Sequence, residues 1–464
     1  MKIFIFAILF IISFQSFASA QCETEPQAKQ TDKVLTTKKF TISPDGKSHF
    51  AAESIYSTKR ENEMYLSLKA SAEDSSWNKN GAEAAVLTIF VDGVYNQDVA
   101  LFAGEEKFDY RVSLGNFPKG EHTLSIGLNE ARSARNAKKV RIYSTKISPI
   151  STQTPKDKDD AKNFAALVNA PIIYARPNAI DKFTDIPLVT YYEILPEAEE
   201  KDFKIRYTTI FSHEDGGTQA AALMARWGRI TDIEWVYELE FKDGRIVSET
   251  YQGANHETKN FYGKRALGSH PLIFTVTDNN NFSDKGCSAL RFAPLPVQAD
   301  LSKKSRETLM DENAWTYRIM AQEAEREGRV NPQQLGVNSI DDLRNYLYVE
   351  VYAENDSTAM AIEARTKDGK TSRSDFGDER LRVGRSGYQR IAVRLPSNSS
   401  PLESLTLLCQ SVSGSRDSGI CQNTRIVKFT RLDKNFRPVE ILNSEIKSRS
   451  LKPEERLIWL MSEK

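Results

Sequence analysis

The sequence predicts a mainly β protein built from several domains: antiparallel β-sandwiches, a helical connector before the third domain and a short C-terminal helix. Three observations support this prediction. Short segments that alternate apolar and polar residues recur along most of the chain. Turn dipeptides such as Asp92-Gly93 and Asp368-Gly369 separate them. At roughly 100 to 200 residues per domain, a chain of 464 residues indicates about three domains.

The first twenty residues predict an export signal. Lys2 precedes an apolar run from Ile3 to Phe14, and Ala18-Ser19-Ala20 gives the small-x-small pattern of a signal-peptidase site. We therefore expect an exported protein in a periplasm, on a cell surface or outside the cell. No later segment reaches the roughly 20 apolar residues of a membrane helix, so no transmembrane segment is expected after signal removal.

The charge balance and the cysteines narrow the function classes. With 63 basic and 63 acidic residues the net charge is zero, which argues against a nucleic-acid partner. Cys409 and Cys421 bracket a short Ser/Gly-rich loop, and an exported chain tolerates disulfides, so we predict a Cys409–Cys421 bond. Metal coordination by cysteine is not expected, because no Cys-x-x-Cys spacing occurs.

Composition divides the chain into successive segments. An N-terminal β-sandwich is predicted at 38–150, since short strands alternate there with Gly and Pro turns. The polar, charged stretch at 151–163 is typical of a linker. A central β-rich domain follows at 164–296, where Phe203, Ile205 and Tyr207 show the two-residue period of a half-buried strand.

The C-terminal third combines helix and strand signals. Residues 300–328 are rich in Glu, Ala, Lys and Arg and lack Gly and Pro until Gly328, which predicts a helical connector. Alternating strands at 340–440 predict a second β-sandwich. The tail at 450–464 is predicted to be a short helix with Pro453 in its first turn.

The central domain holds the candidate site. Three of the five histidines, His213, His256 and His270, lie in it. Asp232 and Glu234 are two residues apart, so on a strand they share one face. Carboxylate oxygens suit Ca²⁺ or Mg²⁺. The candidate metal ligands are Asp232, Glu234, His213, Asp215 and His256. The candidate ligand-binding residues are Trp227, Arg229 and His270.

A simpler interpretation of the carboxylates stays open. The same face would continue through Glu238 and Glu240, so the acidic residues would be the solvated side of an ordinary antiparallel strand. In that interpretation Ile233 and Trp235 pack into the core, and no cation binds.

The order of motifs in the central domain resembles the vacuolar-sorting-protein-sixty-two-like family. That order runs from "IRYTTIFS" through "HEDGGT", "GRITDIEWVYEL" and "NHET" to "SHPLIFTVTD". The related necrosis-inducing toxin-like family has the heptapeptide Gly-His-Arg-His-Asp-Trp-Glu, whose Asp and Glu help hold a divalent cation. Residues 228–234 read Gly-Arg-Ile-Thr-Asp-Ile-Glu. The resemblance implies a cation at Asp232 and Glu234, but Arg229 and Thr231 replace the histidines, so cytolytic activity is not implied.

The sequence favours a binding protein over an enzyme. No Gly-x-Ser-x-Gly elbow, His-Glu-x-x-His motif or phosphate-binding glycine loop occurs. We expect a glycan or a lipid head group at a cell envelope or surface as the partner, with Ca²⁺ or Mg²⁺ as candidate cofactor in the central domain. The alternatives are a metal-dependent hydrolase centred on that domain and a structural envelope protein without a ligand site.

Overall fold

The computed structural model describes residues 33–42, 63–150, 158–176, 186–199, 202–213, 216–288, 290–412, 419–442 and 447–460. In this part of the chain strands predominate and helices are few, which confirms the predicted mainly β class. The predicted export signal lies outside the described residues. No helix in the described ranges is both long enough and apolar enough to cross a membrane.

The N-terminal strands form two antiparallel sheets, with the orders β1-β6-β3-β4 and β5-β2-β7. Leu66 and Leu68 of one sheet and Ile89 and Ile126 of the other belong to one apolar cluster, so the sheets share a core. The strands are β1 (Lys33–Ile42), β2 (Glu63–Glu73), β3 (Val86–Val91), β4 (Val94–Ala100), β5 (Phe108–Asn116), β6 (Gly120–Leu128) and β7 (Lys139–Pro149).

The central sheets follow a helix, α1 (Lys158–Val168), which occupies part of the stretch predicted as a linker at 151–163. The correction has a packing reason, since Phe164 and Val168 on this helix are buried against Ile150. One sheet has the order β13-β12-β11-β10-β9-β18 and a smaller one β14-β15-β8-β17, with β16 beside β15.

The central elements include one further helix, which connects β10 to β11 and ends beside the candidate site. The elements are β8 (Ile172–Tyr174), β9 (Pro187–Pro196), β10 (Phe203–Phe211), α2 (Ala220–Trp227), β11 (Asp232–Lys242), β12 (Arg245–Gln252), β13 (Thr258–Asn260), β14 (Arg265–Ala266), β15 (His270–Thr275), β16 (Phe282–Ser283), β17 (Arg291–Phe292) and β18 (Val297–Gln298).

The predicted connector at 300–328 contains α3 (Thr308–Glu312) and α4 (Trp315–Arg326). Beyond it, one sheet has the order β22-β19-β24-β25, with β26 beside β24, and another has β21-β20-β23-β27. The strands are β19 (Tyr346–Asp356), β20 (Thr358–Thr366), β21 (Thr371–Arg373), β22 (Gly387–Arg394), β23 (Leu402–Ser411), β24 (Ile420–Leu432), β25 (Pro438–Leu442), β26 (Arg449–Leu451) and β27 (Arg456–Leu460).

The prediction of a C-terminal helix at 450–464 is wrong for the described residues, because β26 and β27 are strands. Leu457 and Trp459 pack against the apolar core, whereas Ile458 and Leu460 face solvent. That two-residue alternation fits a strand, and β27 pairs with β23 through Leu405 and Trp459. Residues 461–464 lie outside the described residues.

The predicted disulfide is confirmed. Cys409 in β23 and Cys421 in β24 are bonded, and their Cα atoms are 6.1 Å apart. Both cysteines belong to the apolar core of the C-terminal sheets. The bond therefore connects the two sheets through their shared core.

Candidate functional site

The candidate site is a cavity of about 260 Å³ between the first residues of β11 and the segments that precede α3 and β22. Below it is called the cleft. Carboxylates, amides, guanidinium groups and two indole rings form its wall. The residues that line it are Thr218, Leu223, Trp227, Arg229, Asp232, Glu234, Trp235, Gln252, His256, Asn279, Arg306 and Arg385.

A β-bulge in β11 directs the two carboxylates. Tyr207 of β10 pairs with Tyr237, but the next residue, Thr208, pairs with Trp235, so Val236 is an extra residue in β11. Side chains before the bulge therefore change face relative to those after it. Thr209 of β10 consequently pairs with Glu234, and Phe211 pairs with Asp232.

The bulge excludes the simpler interpretation of an acidic stripe. Asp232 and Glu234 lie on the face that carries the aromatic core of the central sheet, and Glu238 and Glu240 lie on the other. The prediction for Trp235 needs the same correction. Ile233 is fully buried, as expected, but Trp235 is half-buried, lines the cleft and has the Arg206 guanidinium 5.6 Å from its ring centroid.

Asp232 is a buried acid with incomplete charge compensation. Its carboxylate is 2% exposed and accepts a hydrogen bond of 2.9 Å from Asn280 Nδ2. Burial, followed by repulsion from Glu234, raises its pKa to about 7, although Arg229 and the Asn280 hydrogen bond act in the opposite direction. A carboxyl group of this kind in a cavity is a common sign of a functional site.

Gln252 connects Glu234 to His256. Its buried amide Nε2 lies 2.5 Å from Glu234 Oε2 and 2.7 Å from His256 Nδ1, so one NH₂ group reaches both. Burial, and then the positive charges of Arg385 and Arg306, lower the pKa of His256. The imidazole is therefore neutral at pH 7, the form in which it binds a metal or accepts a hydrogen bond.

Trp227 and Arg229, two of the predicted ligand-binding residues, both line the cleft. Arg229 is almost fully buried, and its Nε lies 3.2 Å from Glu307 Oε1 while its guanidinium also donates to the Thr231 carbonyl. These bonds give Arg229 a structural role in the wall of the cleft. Trp227 ends α2, and the guanidinium carbons of Arg226, Arg385 and Arg229 lie 4.5, 5.7 and 5.8 Å from its ring centroid.

Gly228, the first residue of the heptapeptide, has a local role. It caps α2 in the left-handed conformation with φ 60°, and its N–H donates to the Met224 carbonyl. A Cβ atom there would lie 2.9 Å from Arg390 Cγ. Both observations explain a glycine without any cation.

His213 does not line the cleft and faces acids of α4 and its C-terminal end instead. His213 Nε2 lies 3.2 Å from Glu327 Oε1, and Nδ1 lies 3.5 Å from Glu323 Oε2. The three residues, called the His213 cluster below, have ligand atoms within 4.8 Å of one another, a spacing that fits a metal ion. The two carboxylates, however, face different ring nitrogens, whereas one ion bonds a single nitrogen of an imidazole.

Arginines and a tryptophan occupy the remaining acceptors of the His213 cluster. Arg326 Nη2 lies 2.5 Å from Glu323 Oε1, and Arg329 pairs with Glu327. Trp77 of the N-terminal sheets donates its indole N–H to Glu323. The arrangement is that of an ion-paired contact between three parts of the chain.

The remaining predicted residues lie away from the cleft or outside the described chain. His270 is buried, with Nδ1 2.7 Å from the Ala170 carbonyl and Nε2 2.8 Å from Glu63 Oε1, so it joins the central sheet to β2. Asp215 lies outside the described residues. Of the five predicted metal ligands, the structure brings Asp232, Glu234 and His256 together at the cleft.

Several residues at or beside the cleft escaped the sequence prediction. Gln252 ends β12, and Arg306 and Arg385 come from segments before α3 and β22. Asn280, which donates to Asp232, follows β15. None has a motif or a fixed spacing from Asp232. A glutamine and histidine four residues apart, Gln252 and His256, were the one local signal available.

Comparison with known proteins gives partial likenesses. No protein-family model and no curated protein matches the chain. Among solved structures, the C-terminal domain of EclA, a sugar-binding protein, is 15% identical, covers 26% of this chain and 71% of that one, and has a TM-score of 0.18. NLPPya in complex with glucosamine is 9% identical, covers 31% and 75%, and has a TM-score of 0.20. Likenesses at these TM-scores assign neither a family nor a ligand.

Proposed function

We propose that this chain is an exported binding protein that holds a glycan or a lipid head group in the cleft, with a divalent cation at Asp232 and Glu234. One observation carries the proposal. A bulge turns two carboxylates toward the buried face of the sheet, and the pKa of Asp232 rises to about 7 there. A buried acid at this cost to stability fits a residue retained for a ligand.

The residues around the acids fit a hard cation. Ca²⁺ accepts about 6 to 8 oxygen ligands and Mg²⁺ about six, usually with waters. The buried Asn280, which donates to Asp232 through Nδ2, also has an Oδ1 atom without a hydrogen-bond partner in the described part of the chain. Gln252 donates a hydrogen bond that orients Glu234, as residues that support metal ligands commonly do.

The rest of the wall suits a saccharide or a polar head group. Trp227 and Trp235 offer aromatic surface, while Gln252, Asn279 and His256 place polar groups, hydrogen-bonded to one another, in the same wall. Binding sites commonly combine apolar or aromatic surface with a few directed polar groups in this way. The expected effect of a bound cation is to fix vicinal hydroxyls or head-group oxygens by direct coordination.

A glycan and lipid array tests the proposal. The purified protein is applied with Ca²⁺, with Mg²⁺ and with EDTA, beside an Asp232→Asn/Glu234→Gln variant. Glu240→Gln is the matched control, because Glu240 lies on the same strand but on the opposite face. We expect cation-dependent binding that the double variant loses and the control keeps. Equal binding by the double variant would disprove the proposed site.

Hydrolysis of the bound ligand is a second candidate function, supported by one observation. An acid with a pKa of about 7 and a neutral imidazole in the same cleft have the properties of general acid–base groups. Incubation of any array hit with the protein, followed by mass spectrometry, separates the two functions. Release of a product by the native protein but not by Asp232→Asn indicates hydrolysis, and an intact ligand indicates binding alone.

A further inference from the structure

The cleft has more guanidinium groups than carboxylates in its wall, since Arg229, Arg306 and Arg385 line it beside Asp232 and Glu234. Arg306 and Arg385 line it, and Arg226 lies against Trp227 in its wall. Arg306 donates to the Ile233 carbonyl at 2.7 Å, and its Nε lies 3.5 Å from Glu307 Oε1. In the described residues, the guanidinium groups of Arg226 and Arg385 have no hydrogen-bond or carboxylate partner.

The carboxylates near these arginines are already engaged. Glu307 Oε1 serves both Arg229, at 3.2 Å, and Arg306, at 3.5 Å. Glu234 accepts the hydrogen bond from Gln252, and Asp232 accepts the one from Asn280. With Arg226 included, four arginines thus lie at the cleft beside the three carboxylates of Asp232, Glu234 and Glu307, and a divalent cation at Asp232 and Glu234 would enlarge the surplus of positive charge.

The arginines also oppose one another. Burial and then the positive charges of Arg306 and Arg226 lower the pKa of Arg385, and burial lowers the pKa of Arg226. Contact with the Trp227 ring offsets this only in part for each arginine. An anion between the guanidinium groups would replace repulsion by charge-assisted hydrogen bonds.

We propose that Arg306 and Arg385, with Arg226 behind Trp227, form an oxyanion subsite in the cleft. The subsite rests on the proposed function and requires a saccharide or lipid head group that carries a phosphate, sulfate or carboxylate. The oxyanion lies between the guanidinium groups, while the hydroxyl part of the ligand reaches the cation at Asp232 and Glu234. The arginine fork suits the planar or tetrahedral oxygens of these groups.

Calorimetric titration of the purified protein in the presence of Ca²⁺ tests this inference. The probes are glucose, glucose 6-phosphate, glucose 6-sulfate, glucuronate and inorganic phosphate. We expect at least one anionic sugar to bind at least tenfold more tightly than glucose, and the ranking of the three identifies which oxyanion the subsite prefers. Raising the salt concentration should reduce this preference.

The variants are Arg385→Gln and Arg226→Gln, with Arg380→Gln as the matched control. Arg380 belongs to the same segment but is exposed and pairs with Asp378. We expect Arg385→Gln and Arg226→Gln to lose most of the preference for the anionic sugar, measured as the ratio of its affinity to the affinity for glucose. Arg380→Gln should behave like the native protein.

The outcomes separate this inference from the proposed function. Cation-dependent binding of glucose with no preference for any anionic sugar overturns the oxyanion subsite and leaves the proposed function standing. Arginine-dependent binding of inorganic phosphate without binding of any sugar keeps the subsite and overturns a saccharide ligand. A preference that both arginine variants retain overturns the assignment to these residues, and binding of no probe overturns the subsite.

Discussion

The cleft and the His213 cluster contain the same types of residue, histidine and two carboxylates, and yet they are built differently. In the His213 cluster, each carboxylate contacts an arginine, and Glu323 also accepts the indole N–H of Trp77. In the cleft, Asp232 has one amide hydrogen bond, and its pKa is raised to about 7. Whether every polar group has its partners, more than residue type, therefore distinguishes a structural cluster from a ligand site.

The largest predicted effect belongs to the His213 cluster. Glu323→Ala would remove the buried carboxylate that the Trp77 N–H, Arg326 and His213 contact. Breaking a buried charged network by removing one partner costs about 3 to 5 kcal/mol. Thermal unfolding followed by circular dichroism should show a clear fall in melting temperature, without any dependence on added cation.

A melting temperature of Glu323→Ala that matches the native protein would contradict the structural role of the cluster. A native protein that EDTA destabilises, together with a Glu323→Ala variant that EDTA leaves unchanged, would instead identify the cluster as the metal site. Either result would contradict a purely structural role for the His213 cluster.

Asp232→Asn should have the opposite effect on stability. A buried acid with its pKa raised from 3.8 to about 7 favours folding less as the pH rises between these values, because the folded state holds its proton longer. In EDTA, the variant should therefore match the native protein near pH 4 and exceed its stability at pH 8, by a gain of up to about 4 kcal/mol.

The same titration sets the pH dependence of cation binding. Asp232 must lose its proton to coordinate, so cation affinity should fall as the pH drops below about 7. Thermal melts with and without Ca²⁺ at several pH values measure both effects. A variant that is less stable than the native protein at pH 8 would show that the Asp232 charge is fully compensated in the fold.

Gln252→Ala should weaken cation binding in the cleft without unfolding the protein. The amide of Gln252 orients Glu234 through a 2.5 Å hydrogen bond. Loss of such a supporting residue typically lowers metal affinity by about tenfold or more. Calorimetric titration with Ca²⁺ measures the change, and an unaltered affinity would mean that Glu234 is positioned without Gln252.

The smallest effect is expected for Glu240→Gln, on the opposite face of the same strand. Glu240 is near the end of the hairpin, where its carboxylate pairs with Lys242 at 2.9 Å. Surface substitutions of this type change stability by about 0.5 kcal/mol or less. An unchanged melting temperature and unchanged cation binding would support the placement of Glu240 on the face opposite Asp232 and Glu234. Loss of cation binding would instead show that Glu240 belongs to the cation site.

The sequence predicts the class of fold well, because alternation is a local property. Phe203, Ile205 and Tyr207 form the expected buried face of β10, and the Cys409–Cys421 bond forms as predicted. The C-terminal strand escaped prediction although Leu457 and Trp459 alternate with exposed residues, because a tail of mixed charge and Pro453 also fits a helix start.

The candidate site could be predicted only in part. Asp232, Glu234 and His256 meet at the cleft because neighbouring strands bring them together. The extra residue Val236 left no visible mark in the alternation, and it alone reverses the face of the carboxylates. The acids that take His213 away from the cleft lie about a hundred residues further along the chain, at Glu323 and Glu327.

Calorimetric titration of the EDTA-treated protein with Ca²⁺ and with Mg²⁺ at pH 8 is the decisive measurement for a cation at Asp232 and Glu234. We expect one cation per chain for the native protein and for Glu240→Gln, and none for Asp232→Asn/Glu234→Gln. Stoichiometric binding by the double variant, or binding that a folded His213→Gln variant loses, would contradict it.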